Sequence, residues 1–290
     1  MITPQYLTTS QTYRSKIALA APARKISPED IAFAVSHIKE KGFDVVYDER
    51  LFLSHNQMAG TDDERAALMQ QYLDDPDIDA IMCVRGGYGT VRIIDKLNFD
   101  DFMCKPKWIV GYSDVTVLHA KLQCLGIESL HATMPINFPN NTKRALDSLF
   151  DILTGKKIKY DINMPADMDV DVEVVGGNIS VLYSLLGSDI FPDTDGKILF
   201  LEDLDEYLYH IDRMMMAFKR AGKLDNIKGL IVGGLTQMHD NNVPFGMSAE
   251  EIVYDSVKDR KIPIVFNFPA GHLDDNMPIV MGRALKNIML

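Results

Sequence analysis

The chain has 290 residues, with 47% hydrophobic and 24% charged side chains, a composition that excludes a disordered chain, a collagen-like fibre and a disulfide-stapled miniprotein. Its length predicts two domains or one large one, with enough buried surface to fold without a structural metal. The formal net charge of −11 argues against nucleic acids and anionic membranes as partners, because proteins that bind them usually carry a basic surface.

The first half of the chain alternates short apolar runs with amphipathic segments. Continuous apolar residues predict strands at 16–21, 44–47, 78–84 and 108–111. One helix is predicted to begin after Ser27, with Pro28 at its first position, and a second at Thr61, which precedes three acidic residues. Strands that alternate with helices predict right-handed βαβ units and an α/β fold with a doubly wound, mostly parallel sheet.

The middle of the chain interrupts this alternation over residues 154–171, where lysines, a proline and acids follow one another without periodicity. Strands predicted at 197–201, 229–233 and 263–266 then restore the α/β pattern. A helix follows the first of these strands, with apolar side chains at helical spacing: Tyr207, Ile211, Met214, Met215 and Phe218. We therefore predict an N-terminal domain over 1–155, a linker over 156–172 and a C-terminal α/β domain over 173–290.

The cysteines and the N-terminal segment indicate the compartment. Cys83, Cys104 and Cys124 show no C-x-x-C spacing, and we interpret them as buried free thiols in a reducing environment. The N-terminal segment has only a short apolar stretch at 17–23, which two basic residues follow instead of a small-residue cleavage site. No run approaches the roughly 20 apolar residues that span a bilayer. The sequence therefore predicts a cytoplasmic protein.

Two of the predicted strands end in turns that are candidates for function, because functional residues of doubly wound sheets gather at the carboxyl ends of strands. Arg85, Gly86 and Gly87 follow the third strand, where glycines let backbone N–H groups approach a ligand. This segment does not fit the dinucleotide fingerprint G-x-G-x-x-G, and a simple tight turn explains it equally well.

Ser113 lies at a predicted strand-to-helix turn, where the helix dipole and free N–H groups favour a developing negative charge. The segment resembles a nucleophile elbow, but Val115 stands where G-x-S-x-G has its second glycine. Taken alone, this segment is better explained by Ser113 or Asp114 capping the helix.

Two further strand ends carry an acid and a histidine. Glu202 directly follows the strand at 197–201, and His272 follows the strand at 263–266 in a loop whose proline and glycine exclude a helical backbone. Each is an ordinary loop residue when considered alone. Together with Ser113 they supply a nucleophile, an orienting acid and a base, and the glycine N–H groups supply an oxyanion site. The order serine, acid, histidine is one of several that unrelated hydrolases use.

Six segments, in order along the chain, resemble the LD-carboxypeptidase family of serine peptidases, which includes the microcin C immunity hydrolases. They are 84–89, 111–116, 175–182, 201–203, 209–213 and 268–272. One departure concerns the segment His131-Ala132-Thr133-Met134-Pro135, where relatives often have His-Gly-Pro. This departure leaves the shape of that loop open and does not affect the three candidate catalytic residues.

The resemblance implies an N-terminal parallel-sheet domain carrying Ser113 as nucleophile and a smaller C-terminal α/β domain carrying Glu202 and His272. It implies an active site between the two domains, a homodimer, and a reaction that needs no metal or other cofactor. The remaining residues that it implies are oxyanion donors through their backbone N–H groups and one arginine that orders the turn or binds a substrate carboxylate: Gly86, Gly87, Asp114 and Arg85.

The substrate that the resemblance implies is a small peptide, a cytoplasmic muropeptide. The enzyme would release terminal D-alanine from the L-centre of meso-diaminopimelate during cell-wall recycling. A first alternative is an immunity-type hydrolase of acyl- or peptidyl-adenylate amides. Adenine recognition favours a stacking aromatic side chain in the linker or cleft, but Trp108 lies at the start of the strand at 108–111 and the linker has only Tyr160, so this alternative ranks lower. A second alternative is a non-enzymatic two-domain protein that closes on a small ligand, in which Ser113 would be unreactive.

Overall fold

The computed structural model describes residues 1–10, 12–287 and 289. Ten strands run through these residues: β1 (Lys16–Ala20), β2 (Asp44–Val46), β3 (Ala80–Cys83), β4 (Trp108–Gly111), β5 (Ser129–His131), β6 (Val174–Asn178), β7 (Ile198–Leu204), β8 (Gly229–Thr236), β9 (Ile264–Val265) and β10 (Ile279–Met281). Eight α-helices accompany them in the same described ranges: α1 (Pro28–Glu40), α2 (Asp62–Asp74), α3 (Asp100–Cys104), α4 (Thr116–Cys124), α5 (Lys143–Leu153), α6 (Ile179–Ser184), α7 (Leu208–Arg220) and α8 (Ala249–Val257).

The first sheet has six strands in the order β10-β5-β4-β3-β1-β2 and is parallel except for β10. Its five parallel strands follow the doubly wound order 2-1-3-4-5, in which the chain reverses direction across the sheet between β1 and β3. Ligands of such sheets bind outside the carboxyl ends of the strands. The predicted fold class, an α/β protein with a doubly wound and mostly parallel sheet, is confirmed.

The second sheet has four parallel strands in the order β6-β7-β8-β9, so β7 lies between two neighbours. The prediction ended this strand at residue 201, because its apolar run stops at Glu202. The strand instead continues to Leu204, since the Glu202 and Asp203 side chains are themselves buried. Two charged residues therefore lie inside the structure at the carboxyl end of a central strand.

The predicted helix starts are also confirmed, because the capping residues make the bonds that their types allow. The Ser27 hydroxyl accepts the Asp30 N–H, and the Asp30 carboxylate accepts the Ser27 N–H in return. Thr61 and Glu64 form the same reciprocal arrangement at the start of α2. Each box satisfies backbone N–H groups that have no partner inside the helix.

Several contacts between the two sheets cross the predicted boundaries between the domains. Strand β10, inside the predicted C-terminal range, pairs antiparallel with β5 of the first sheet. In the predicted linker, Tyr160 is buried and its hydroxyl donates to the Pro278 carbonyl at 2.6 Å. The Asn178 N–H at the end of β6 donates to the Thr116 hydroxyl of α4 at 3.0 Å. The boundaries at 155 and 172 stay a prediction, and several bonds tie the two sheets together.

The cysteines are free thiols, as predicted, but only Cys83 is buried, whereas Cys104 and Cys124 are exposed. The prediction of burial was therefore wrong for two of the three, each of which is the last residue of its helix, α3 or α4. Burial raises the pKa of the Cys83 thiol above its ordinary value. No helix within the described residues is long and apolar enough to cross a bilayer.

Candidate active site

Ser113 lies between β4 and α4 with a φ of +62°, in the left-handed region that costs a non-glycine residue about 1–2 kcal/mol. Such a turn lifts a serine hydroxyl above the edge of a sheet in a nucleophile elbow. A Cβ on Gly111 would lie 2.8 Å from Val115 Cγ2, so the valine that replaces the second glycine of the motif packs against the first. The elbow geometry thus forms without the full G-x-S-x-G pattern.

Helix capping does not explain this segment. Neither Ser113 nor Asp114 makes a side-chain cap at the single turn 113–115 or at the start of α4. The Asp114 side chain is buried and accepts the Thr90 N–H at 2.8 Å, which joins the elbow to the turn that follows β3. Burial raises the pKa of Asp114, although the Thr90 hydrogen bonds oppose the shift. The side chain of Asp114 therefore connects the turn at Ser113 to the turn that follows β3.

The glycine turn after β3 packs directly on the candidate nucleophile. A Cβ on Gly86 would lie 3.2 Å from Ser113 Cβ and 3.4 Å from its Oγ, a tight contact that would need small shifts of the neighbouring atoms. Gly87 has a φ of +105° and lines the same cavity as Ser113. Gly86 and Gly87 therefore lie beside Ser113, and their role as oxyanion donors stays a prediction.

Glu202 and His272 form the acid–imidazole pair of the site. The His272 Nδ1 atom lies 2.6 Å from Glu202 Oε2, and the Glu202 side chain is fully buried. Because a carboxylate accepts at Nδ1, the proton stays on that nitrogen and Nε2 is free to act as a base. The Tyr112 ring lies 4.8 Å from the imidazole, centroid to centroid, and packs against it.

The charges of this pair shift both of its pKa values. Burial alone would raise the pKa of Glu202, but the adjacent His272 reverses the effect and lowers it. Burial would likewise lower the pKa of His272, and the negative charge and hydrogen bond of Glu202 raise it above its ordinary value. The acid thus stays ionised and makes the imidazole a stronger base.

The loop that carries His272 is fixed by buried contacts. Gly271, with a φ of +105°, donates its N–H to the buried Asn276 side chain at 2.8 Å. A Cβ on Gly271 would lie 2.8 Å from both Cβ and Oε2 of Glu202. Only a glycine therefore allows the loop to pass close enough to β7 for the acid–imidazole contact.

Gly271→Ala is expected to lower kcat at least about tenfold, because the added methyl group must displace Glu202 or the His272 loop. Gly187→Ala is the matched control: Gly187 also has a left-handed backbone, with a φ of +87°, but nothing lies within 4 Å of an added Cβ. Both variants carry the backbone penalty of a non-glycine residue in the left-handed region, about 1–2 kcal/mol in the free energy of unfolding. Equal kcat values for the two would contradict the proposed role of the close contact.

Ser113 and His272 line one cavity of about 400 Å³, which lies between the two sheets. Ser113 and Gly87 reach it from the first sheet, and Asp203 and His272 reach it from the second. Across the described ranges, no hydrogen bond joins Ser113 Oγ to the imidazole of His272. The structure thus joins His272 to Glu202 and brings the Ser113 hydroxyl to the same cavity without a direct bond to the imidazole.

The predicted role of Arg85 in binding a substrate carboxylate stays a prediction. Its guanidinium donates to the Lys25 carbonyl at 3.1 Å, which ties the glycine turn to the segment after β1. Arg24 is instead the arginine that lines the cavity, against Gly87. No role was predicted for Arg24 from the sequence, although it follows a strand of the doubly wound sheet just as Arg85 does.

Asp203 is a second buried carboxylate in the wall of the cavity, and no role was predicted for it from the sequence. It accepts the Asn178 side-chain amide and the Ser180 N–H, each at 2.8 Å. Burial and the negative charge of Glu202 raise its pKa to about 7. Its position directly after Glu202 in a strand was the available signal, but alternation along a strand would have placed it on the far face.

A serine at a strained elbow, beside an acid–imidazole pair in the same cavity, is the arrangement that serine hydrolases share. Comparisons with known proteins identify the family. Residues 17–132 match the LD-carboxypeptidase N-terminal domain and residues 172–286 match the LD-carboxypeptidase C-terminal domain. The chain belongs to the LD-carboxypeptidase family of peptidases.

Individual relatives cover most of the chain. A probable murein peptide carboxypeptidase of Bacillus subtilis is 31% identical over 92% of this chain and 86% of the relative. The microcin C7 self-immunity protein MccF of Escherichia coli is 24% identical over 92% and 87%. The crystal structure of muramoyltetrapeptide carboxypeptidase from Oxalobacter formigenes superimposes with a TM-score of 0.82 at 27% identity, covering 92% of this chain and 93% of that one.

Proposed function

We propose that this protein is a serine-type LD-carboxypeptidase that releases terminal D-alanine from cytoplasmic muropeptides during cell-wall recycling. The observation that carries the proposal is the 2.6 Å contact between Glu202 and His272. The histidine of this pair lines the same cavity as Ser113. Membership of the family supports a peptidase, and the names of two relatives, murein peptide and muramoyltetrapeptide carboxypeptidase, support the substrate class.

In the proposed reaction, Ser113 Oγ attacks the carbonyl of the L-centre of meso-diaminopimelate while His272 Nε2 takes the hydroxyl proton. The backbone N–H groups of Gly86, Gly87 and Asp114 stabilise the negative oxygen of the tetrahedral intermediate. The imidazolium then protonates the departing amine of D-alanine, and its charge is balanced by Glu202 throughout. Water, deprotonated by the same histidine, hydrolyses the acyl-enzyme and restores the serine.

Hydrolysis of an adenylate amide is the second candidate, and the MccF relative is the reason to test it. The two aromatic residues considered for adenine stacking do not favour it. Trp108 is fully buried, with its indole N–H donating to the Gln5 carbonyl at 3.1 Å, and Tyr160 is buried against Phe268. Neither ring lines the cavity of Ser113. These two rings are therefore not placed to stack on a base bound beside Ser113.

The assembly and location that accompany this function are proposals as well. We propose a division into an N-terminal domain that carries Ser113 and a smaller C-terminal domain that carries Glu202 and His272. The active site then lies at their junction, and the protein acts as a cytoplasmic homodimer. Sedimentation at micromolar concentration tests the dimer directly.

A release assay tests the substrate. The purified protein is incubated with L-Ala-γ-D-Glu-meso-diaminopimelyl-D-Ala, and free D-alanine is measured by chromatography. We expect release from this peptide and none from the version with a terminal L-alanine, because the bond must join an L-centre to a D-residue. An aspartyl sulfamoyl adenosine or related adenylate amide is the parallel substrate. Cleavage of the adenylate alone would contradict the proposal and favour the immunity-type activity.

A further inference from the structure

His131, at the carboxyl end of β5, is buried completely, yet neither of its ring nitrogens has a hydrogen-bond partner among the residues that the structure describes. The same is true of Glu202 Oε1, the carboxylate oxygen that His272 does not use. The His131 Nε2 atom lies 3.9 Å from this oxygen. Two buried polar groups without partners therefore face each other across the boundary between the first and the second sheet.

This arrangement destabilises the fold unless the His131 imidazole and Glu202 Oε1 interact with each other. A buried donor or acceptor that lacks a partner lowers the free energy of unfolding of the protein by about 1–3 kcal/mol, and by more if it is charged. The surroundings of His131 are aromatic, with the Phe200 ring 5.0 Å and the Tyr112 ring 5.9 Å from the imidazole. An apolar side chain would fit such an environment at no polar cost, so the imidazole requires an explanation.

We propose that His131 is a positioning residue for Glu202, with its Nε2–H directed at Oε1, so that the catalytic acid lies between two imidazoles. The inference rests on the proposed function, in which Glu202 holds the general base. One oxygen of the carboxylate then faces His272 and the other faces His131, which prevents rotation of the carboxylate. The distance of 3.9 Å is an electrostatic contact that shortens to a hydrogen bond with a movement of about 1 Å.

The other titratable groups around this pair leave the role of donor to His131. His119 lies 6.0 Å from it, but its Nε2 faces the Gly111 carbonyl and its Nδ1 faces the Ser129 hydroxyl, each at 2.8 Å. Burial lowers the pKa of His119 to about 3, so that imidazole is neutral. Tyr112 directs its hydroxyl to Asn137, and Asp203, also close to His272, is itself an acceptor.

The position of His131 has a consequence for the whole site. Strand β5 lies next to β4, whose end leads to Ser113, and His131 pairs with Gly111 across these two strands. Glu202 belongs to β7 of the other sheet. A contact between His131 and Glu202 therefore aligns the sheet that carries the nucleophile with the sheet that carries the acid.

Two substitutions of the full chain separate a donor from a space-filling ring. His131→Phe keeps the ring and removes the donor, whereas His131→Gln keeps an N–H donor near the position of Nε2. We expect His131→Phe to lower kcat about 10- to 100-fold on the tetrapeptide, the value of one hydrogen bond to a charged group. We expect His131→Gln to restore most of that loss. Equal damage in both variants, or wild-type kcat in His131→Phe, would overturn the proposal.

Titration of His272 by NMR gives a readout that a merely structural role would not change and that needs no turnover. An N–H dipole aimed at Glu202 disfavours positive charge on His272, so its removal in His131→Phe is expected to move the midpoint upward, with a return in His131→Gln. Unchanged midpoints would overturn the proposal. If wild-type protein fails to cleave the tetrapeptide, the proposed function fails, and this titration still tests the contact.

A measurement on the unmutated chain covers the case in which the variants do not fold. The ¹⁵N shifts of the His131 ring report which nitrogen carries the proton. The proposal requires the proton on Nε2, and a proton on Nδ1 alone would overturn it, because Nε2 would then present a lone pair to a carboxylate.

Discussion

Ser113→Ala is expected to abolish D-alanine release, with kcat falling about 10⁴- to 10⁶-fold, the range seen when the nucleophile of a serine hydrolase is removed. The hydroxyl is the only atom changed, and no other group in the proposed reaction can form the acyl-enzyme. Alanine carries the same backbone strain as serine at a φ of +62°, so the fold and thermal stability should stay as in the wild type. Release of D-alanine measures the loss of turnover, and a serine-directed covalent probe measures the loss of the reactive hydroxyl.

The control for this variant is Ser184→Ala. Ser184 lies at the end of α6, and its hydroxyl donates to the Val181 carbonyl at 2.6 Å. We expect wild-type turnover and labelling from this variant. If Ser113→Ala retained cleavage or labelling, the nucleophile assignment would be wrong. If neither the wild type nor Ser184→Ala were labelled, the non-enzymatic ligand-binding alternative would be favoured.

Local sequence signals predicted much of the fold because they act over a few residues. Capping residues such as Ser27 and Thr61 bind N–H groups within three positions, so the type of residue is enough to locate the helix start. Strand β10 was not predicted, since three apolar residues are too short for a periodic signal. It exists because β5, almost 150 residues earlier in the chain, offers it an open edge.

The same distinction between local signals and long-range contacts applies to the residues of the site. Ser113, Glu202 and His272 follow predicted strands, and that position along the chain was enough to nominate them. His131 was noticed only as part of a departure from a family motif, because its role depends on which way β5 faces and on how the second sheet packs against it. The choice of Arg24 over Arg85 for the cavity likewise depends on the course of two loops, which a strand-end rule does not resolve.

Glu202→Gln is expected to lower kcat by roughly 10⁴-fold, the effect of a neutral amide in place of the acid of a catalytic triad. The amide removes the negative charge that stabilises the His272 imidazolium during the reaction. Its NH₂ group can also face Nδ1, and the imidazole proton then moves to Nε2, where no base remains. Because glutamine has nearly the same shape, the loss reports charge and tautomer more than packing.

The pH dependence gives this prediction a sign. His272 must be neutral to accept a proton, and Glu202 raises its pKa above the ordinary value near 6.5. In the wild type kcat/KM therefore rises with pH through a midpoint above 6.5. In Glu202→Gln the charge is gone and burial favours the neutral imidazole, so the residual activity should rise through a lower midpoint. A midpoint unchanged by the substitution would mean that another group holds the base.

Glu206→Gln is the matched control, because Glu206 forms a second acid–imidazole pair in the same cavity. Its Oε2 lies 2.8 Å from His210 Nδ1, but the His210 side chain is 42% exposed, so solvent screens this pair. The Glu202 side chain has no exposed surface and the His272 side chain is 13% exposed, so solvent screens this pair much less. We expect kcat within a few-fold of wild type for Glu206→Gln. Near-normal turnover in Glu202→Gln with a large loss in Glu206→Gln would move the catalytic acid to the edge of the cavity.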